Sequence, residues 1–252
     1  MCGRFIIALA PEVFRAFYGY PERPNFPPRY NVAPTQPVAV VLQDGAERHF
    51  RLMRWGFWPG WLKDPKGFPL LINARVETVR EKPAFRGALR HRRCVFLADG
   101  FYEWRREGSG GQSVKTPFKI SRADGAPMAL AGLWETWAGA DGSEVDTAAI
   151  VTTGANGTMA AIHDRMPAIL APEAVEPWLD TRAVEAGPAA ALCRPCPDDW
   201  LRLDPVSARV NDARNDDAGL IEPTGRPQAA PPSASAREGP RNSDEGGQGS
   251  LF

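Results

Sequence analysis

Twenty-five prolines scattered through 252 residues set the first limit on what this chain can fold into. Proline has no backbone N–H and its ring clashes with the preceding turn, so long helices are excluded. Short apolar runs punctuated by Gly and Pro lie between them: Val38–Leu42, Cys94–Leu97, Met128–Ala131 and Ala149–Thr152. Each has the length of a strand and is followed by turn residues. Two Pro-led segments have helical spacing instead. Pro11–Tyr18 aligns Val13, Phe14 and Phe17, and Pro172–Leu179 aligns Val175, Trp178 and Leu179. The pattern predicts an α+β domain over residues 1–223, with mostly antiparallel strands, few short helices and no internal repeat. From Gly225 onward, 19 of 28 residues are Gly, Pro, Ser, Ala or Gln. Residues 224–252 therefore read as a disordered tail, too poor in apolar surface to offset ordering entropy.

The formal net charge of zero hides an asymmetry. Residues 1–106 carry 18 Lys and Arg against 9 Asp and Glu, and the remainder carries 12 against 21. A basic half that is also rich in Trp and Phe suits an anionic polymer whose bases can stack, although arginines covering a solvated face would look the same. No run approaches the roughly 20 apolar residues of a membrane span. Met1-Cys2-Gly3-Arg4-Phe5 lacks the cationic and apolar regions of a signal peptide. Cys2, Cys94, Cys193 and Cys196 are too irregularly spaced for a disulfide framework. A reducing, cytoplasmic setting is expected. Cys193-Arg194-Pro195-Cys196 has metal or redox spacing but lacks a second ligand pair, so no metal site is expected.

Cys2 carries the most chemical information. Initiator Met is commonly removed before a small residue, which would make Cys2 a 1,2-aminothiol with an α-amine pKa of about 7.7–8 and a thiol near 8.5. Such a group can condense with an aldehyde and close a thiazolidine, or attack an acyl group through sulfur. Three further residues could move or orient protons. His163 follows a strand-and-Gly segment, on a loop or short helix. Glu103 lies among aromatics in Gly100-Phe101-Tyr102-Glu103-Trp104, where burial would raise its pKa. Asn73, in Leu70-Leu71-Ile72-Asn73-Ala74-Arg75, is expected to end an apolar strand and could position an amine or a sugar oxygen. His49 and His91 sit in polar, arginine-bearing surroundings and read as surface residues.

Seven segments in order carry a resemblance. Met1–Phe5, Arg29-Tyr30-Asn31-Val32-Ala33-Pro34, Trp55–Trp61, Ile72–Thr78, Asp99–Trp104, His163–Pro167 and Pro205-Val206-Ser207 resemble the SOS response-associated peptidase family, proteins that crosslink to abasic sites in single-stranded DNA. The resemblance implies a twisted, barrel-like sheet around one DNA cleft and no cofactor. It implies that Cys2 forms a thiazolidine with the ring-opened sugar aldehyde, that Asn73 orients its amine, that Glu103 acts as general acid and base, and that His163 assists ring opening. Arg4, Arg75, Arg165 and Thr152 match phosphate-holding positions, and Asn31, Pro34 and Trp61 match a wall for flanking bases. Leu62 stands where some relatives have a second Trp. The implied protein is a monomer, associated with the nucleoid when on DNA.

Two other classes remain open: an N-terminal-nucleophile thiol hydrolase or autopeptidase, and a non-catalytic single-strand binder. Outside the resemblance, the ending Gln248-Gly249-Ser250-Leu251-Phe252 is similar to the short motif by which bacterial repair proteins dock on the replicative sliding clamp. Leu251 and Phe252 would fill an apolar slot and Gln248 would bond at its rim.

Overall fold

The computed structural model describes residues 2–108 and 114–225; the tail, with Gln248, Leu251 and Phe252, lies outside the described residues. In chain order the elements are β1 (Phe5–Ile7), α1 (Pro11–Tyr18), β2 (Arg29–Val32), β3 (Pro37–Asp44), β4 (Glu47–Trp55), β5 (Asn73–Arg75), α2 (Arg86–His91), β6 (Arg93–Ala98) and β7 (Gly100–Glu107). They continue with β8 (Val114–Arg122), β9 (Met128–Ala138), β10 (Glu144–Gly154), β11 (Arg165–Pro167), β12 (Ile169–Leu170), α3 (Pro172–Leu179), α4 (Ala186–Leu192) and β13 (Leu201–Pro205). The four apolar runs all fall within strands and both Pro-led segments are helices, as the sequence predicts.

Five strands close into a ring. β3 pairs with β4 and β6, β6 with β9, β9 with β10, and β10 returns to β4. Closure leaves the ring without an unpaired edge. β10 pairs in parallel with β4 and β5; every other pairing in the described residues is antiparallel. The second sheet has the order β13-β8-β7-β1-β2. Local chemistry sets these ladders. Gly45, at φ 62°, a conformation that L residues resist, opens a two-residue hairpin loop whose flanking residues Asp44 and Glu47 pair. Phe5 of the second sheet packs edge-on against Trp55 and Phe96 of the ring, with centroids 5.2 and 6.2 Å away, joining the two sheets in one core.

The helices seal the outside. α1 buries Phe14 and Tyr18, and the Tyr18 hydroxyl donates to the Met128 carbonyl at 2.7 Å. In α3, Trp178 is buried and its Nε1 donates to the Cys94 carbonyl at 2.7 Å. One expectation needs correction: Asn73 begins a strand rather than ending one. Leu71 is taken by an isolated bridge to Phe57, so the ladder with β10 starts only at Asn73, opposite Ile150. No helix among the described residues is long and apolar enough to cross a membrane.

Gly132 on β9 marks the tightest point of the ring. A Cβ there would lie 2.6 Å from the Phe96 ring and 2.9 Å from the Cys94 sulfur, both fully buried. Overpacking of this kind typically costs about 1–3 kcal/mol. Gly132→Ala is expected to lose that much in urea unfolding. An unchanged midpoint would mean that the ring is looser than these distances imply.

Candidate active site

The site lies on the seam between the sheets. The chain enters β1 through Cys2-Gly3-Arg4, where the Tyr102 N–H donates to the Arg4 carbonyl at 2.9 Å. From the ring side, Asn73 Nδ2 donates to the Cys2 carbonyl at 3.0 Å. That carbonyl can only accept, so the amide orientation of Asn73 is fixed. Its Oδ1 is then left buried with no hydrogen-bond partner. An orphaned buried acceptor costs about 1–3 kcal/mol, which is tolerated where function supplies the missing donor.

Cys2 itself is fully buried, and its sulfur lies 4.0 Å from the Arg4 carbonyl. Burial first, and then the nearby Glu103 charge, push the thiol well above its ordinary range, so it stays protonated at neutral pH. Glu103, on β7 of the second sheet, is 3% exposed. It lines a cleft of about 490 Å³ with Trp104, Arg106, Lys115, His163 and Asn211. His163 follows a single 3₁₀ turn after β10, as its sequence context predicts, and its Nδ1 accepts the Arg165 N–H at 3.0 Å. The structure therefore gathers Cys2, Asn73, Glu103 and His163 from four separate segments.

The expected phosphate-holding residues divide into two kinds. Arg75 projects from β5 and is exposed. Arg165 is held: Nη1 and Nη2 form a bidentate pair with Glu77, and Nη2 also donates to the Thr152 carbonyl at 2.8 Å and hydroxyl at 3.2 Å. Thr152 is fully buried, so it orients Arg165 from beneath. Arg4 is held too, donating to Asn31 Oδ1 and the Val210 carbonyl, each at 2.8 Å, and to the Asn211 carbonyl at 3.3 Å.

The expected base-packing wall is less uniform than the sequence suggests. Trp61 is 59% exposed on its loop, edge-on to Phe68, and Pro34 is half-buried in a turn. Asn31 is fully buried, and its Nδ2 donates to the carbonyls of Val210, Asp212 and Asn215. It holds Arg4 and the 210–215 segment in place and offers no face to a base. His49 also differs from its expectation: it is half-buried and its Nδ1 lies 2.8 Å from Glu22 Oε1.

Against known proteins, the family described as SOS response associated peptidase (SRAP) matches residues 1–213. The chain belongs to the SRAP family. The abasic site processing protein YoaM of Bacillus subtilis is 38% identical over 226 residues, covering 88% of this chain and 98% of its own. YedK of Escherichia coli, also named an abasic site processing protein, is 36% identical and matches over 88% and 100%. HMCES of Xenopus tropicalis, of the same description, is 34% identical over 85% and 76%. Among solved structures, a Bacteroides thetaiotaomicron protein superposes with a TM-score of 0.78 at 24% identity, over 88% of this chain and all of its own.

Glu77 of this SRAP protein gains a role that its sequence context did not suggest. The available signal was an acid two residues beyond Arg75, in the turn that follows β5. Among the described residues no group of three or more His, Cys, Asp or Glu is placed to hold a metal ion.

The Arg165 hydrogen bond, outweighing partial burial, holds the Glu77 carboxyl below the usual carboxylate range. A depressed folded-state pKa stabilises the fold above the ordinary carboxylate pKa, and that stabilisation fades as pH falls through the folded value. Glu77 is half exposed, and pairs of this kind are worth roughly 0.2–1 kcal/mol. Wild type is therefore expected to melt slightly above Glu77→Gln at pH 7, with the gap closing below about pH 4. A gap that persists undiminished at pH 3 would refute the ion pair as its source.

Proposed function

We propose that this SRAP protein processes abasic sites in single-stranded DNA through a covalent reaction at Cys2. The relatives carrying that description support the substrate class, and their alignment covers nearly the whole of YoaM and YedK. The observation that supports the chemistry is the setting of Cys2: buried, tied at its carbonyl by Asn73, and close enough to Glu103 to feel its charge.

Removal of Met1 frees the Cys2 α-amine. The amine attacks the C1 aldehyde of the ring-opened deoxyribose, and the carbinolamine loses one water to give a Schiff base, with Glu103 relaying the protons. The thiol then adds to the imine carbon, its proton passes to the nitrogen, and a five-membered thiazolidine closes. One water is lost overall. In this route the amine acts first and sulfur follows, because the imine carbon that sulfur attacks exists only after the amine has condensed. Asn73 Oδ1 supplies an acceptor for the freed amine, and His163 assists opening of the sugar. Arg75, Arg165 and Arg4 lie along the strand as cations, while Trp61 offers an aromatic face to any base.

With a single-stranded abasic oligonucleotide on a denaturing gel, the protein is expected to give a heat-stable adduct. Cys2→Ala should abolish it, and Cys2→Ser should leave at most a Schiff base that borohydride traps. Glu103→Gln and His163→Ala should slow adduct formation by about 10²–10⁴-fold while binding to undamaged strands persists. An undiminished adduct from Cys2→Ala contradicts the mechanism, and ammonia release from glutamine without an adduct favours the hydrolase.

A further inference from the structure

We propose that Arg106 and Lys115 form a binding station for a DNA backbone phosphate at the rim of the Glu103–His163 cleft. The proposal rests on the DNA-processing function argued above and adds a site that none of the residues discussed so far supplies. Arg106 on β7 and Lys115 on β8 are direct partners in the antiparallel register, so they stand opposite each other on one face of the hairpin. Like charges placed directly opposite across a ladder repel and destabilise the pair. Both are exposed, and both line the cleft that contains Glu103 and His163.

Neither of the two is relieved by a described neighbour. Among the described residues, no hydrogen bond or ion pair reaches the side chain of either. The connecting stretch from Ser109 to Ser113 contains no acid that could supply one. The adjacent cation on the opposite face shows what relief looks like. Arg105 pairs with Glu107 and lies 4.8 Å over the Phe118 ring. The acid in the cleft wall, Glu103, is 3% exposed and, two residues before Arg105 in an unbroken register, stands on the strand face opposite the two cations.

Two unrelieved cations on adjacent strands, facing one cleft, fit an anion shared between them. Beside a site that takes a nucleotide, that anion is a phosphodiester of the same strand. The fold thus keeps a local repulsion that ligand binding relieves, a trade of stability for function common at binding sites. The station lies on the second sheet, whereas Arg75 and Arg165 project from strands paired to β10 of the ring system. Phosphates would then be held on both sides of the seam, with Cys2 between.

Equilibrium binding of an undamaged oligothymidylate across a salt series tests this without any crosslinking step. Arg106→Gln and Lys115→Gln should each weaken binding, and the double variant should lower the slope of log affinity against log salt by roughly 0.7 for each phosphate no longer neutralised. Neutralising Arg182 and Arg194, which line no part of this cleft, should leave the slope nearly unchanged. Because a repulsion is removed, the double variant should melt no lower than wild type. An unchanged slope, or a slope decrease equalled by the Arg182/Arg194 control, overturns the station. Those outcomes are independent of whether wild type forms an adduct with abasic DNA, so this site and the proposed function can fail separately.

Discussion

The hydrogen bond from Asn73 to the Cys2 carbonyl crosses from one sheet system to the other, and the geometry of the site depends on it. A short segment leading into a strand has few contacts of its own and frays unless tied down. Here the ties come from every side. Asn73 holds Cys2, the Tyr102 amide holds Arg4, Asn31 and the Val210 carbonyl hold the Arg4 guanidinium, and Phe5 packs between Trp55 and Phe96. The closed ring is what makes Asn73 a fixed point, because β5 is registered on β10, and β10 is paired on both of its sides. On the proposed mechanism, Cys2 placed in this way draws its advantage from orientation rather than from activation of the thiol.

The distribution of cations follows the same logic. Arg4 and Arg165 are locked by carbonyls, an amide and a carboxylate, so their heads point one way and lose little freedom when a ligand arrives. Arg75, Arg106 and Lys115 are exposed. The two halves of the sequence thus contribute both kinds: Arg4 and Arg165 are pre-oriented guanidiniums near the seam, while Arg75, Arg106 and Lys115 are exposed charges. A solvated basic face would need neither the buried Thr152 beneath Arg165 nor the buried Asn31 beneath Arg4.

Much of this was legible in the residues, and the limits have physical causes. Runs such as Val38–Leu42 and Cys94–Leu97 were recognisable as strands because burial on both faces leaves an unbroken apolar run. Their closure into a barrel-like ring was foreshadowed by the family resemblance alone, since registry such as Ala148 with both Trp55 and Trp134 depends on contacts far apart in sequence. Cys2, Asn73, Glu103 and His163 could be named singly from chemistry, and their order along the chain matched a family, but only the fold brings them together. Asn31 illustrates the opposite case. The family resemblance placed it on a wall for bases, whereas its amide donates to three carbonyls of a segment about 180 residues away. Local sequence carries no trace of that partner. Arg106 and Lys115 escaped notice because their significance lies in cross-strand register alone.

The central claim is that the amine and the sulfur of one residue, Cys2, both bond to the aldehyde carbon of an abasic sugar. Mass spectrometry of the intact adduct, followed by tryptic mapping, addresses it most directly. The mechanism requires a mass equal to the protein without Met1 plus the oligonucleotide less one water, with the sugar remnant on the Cys2-Gly3-Arg4 peptide and no free thiol there. An adduct on a lysine or another cysteine, or a Cys2 thiol that still alkylates after crosslinking, would contradict it.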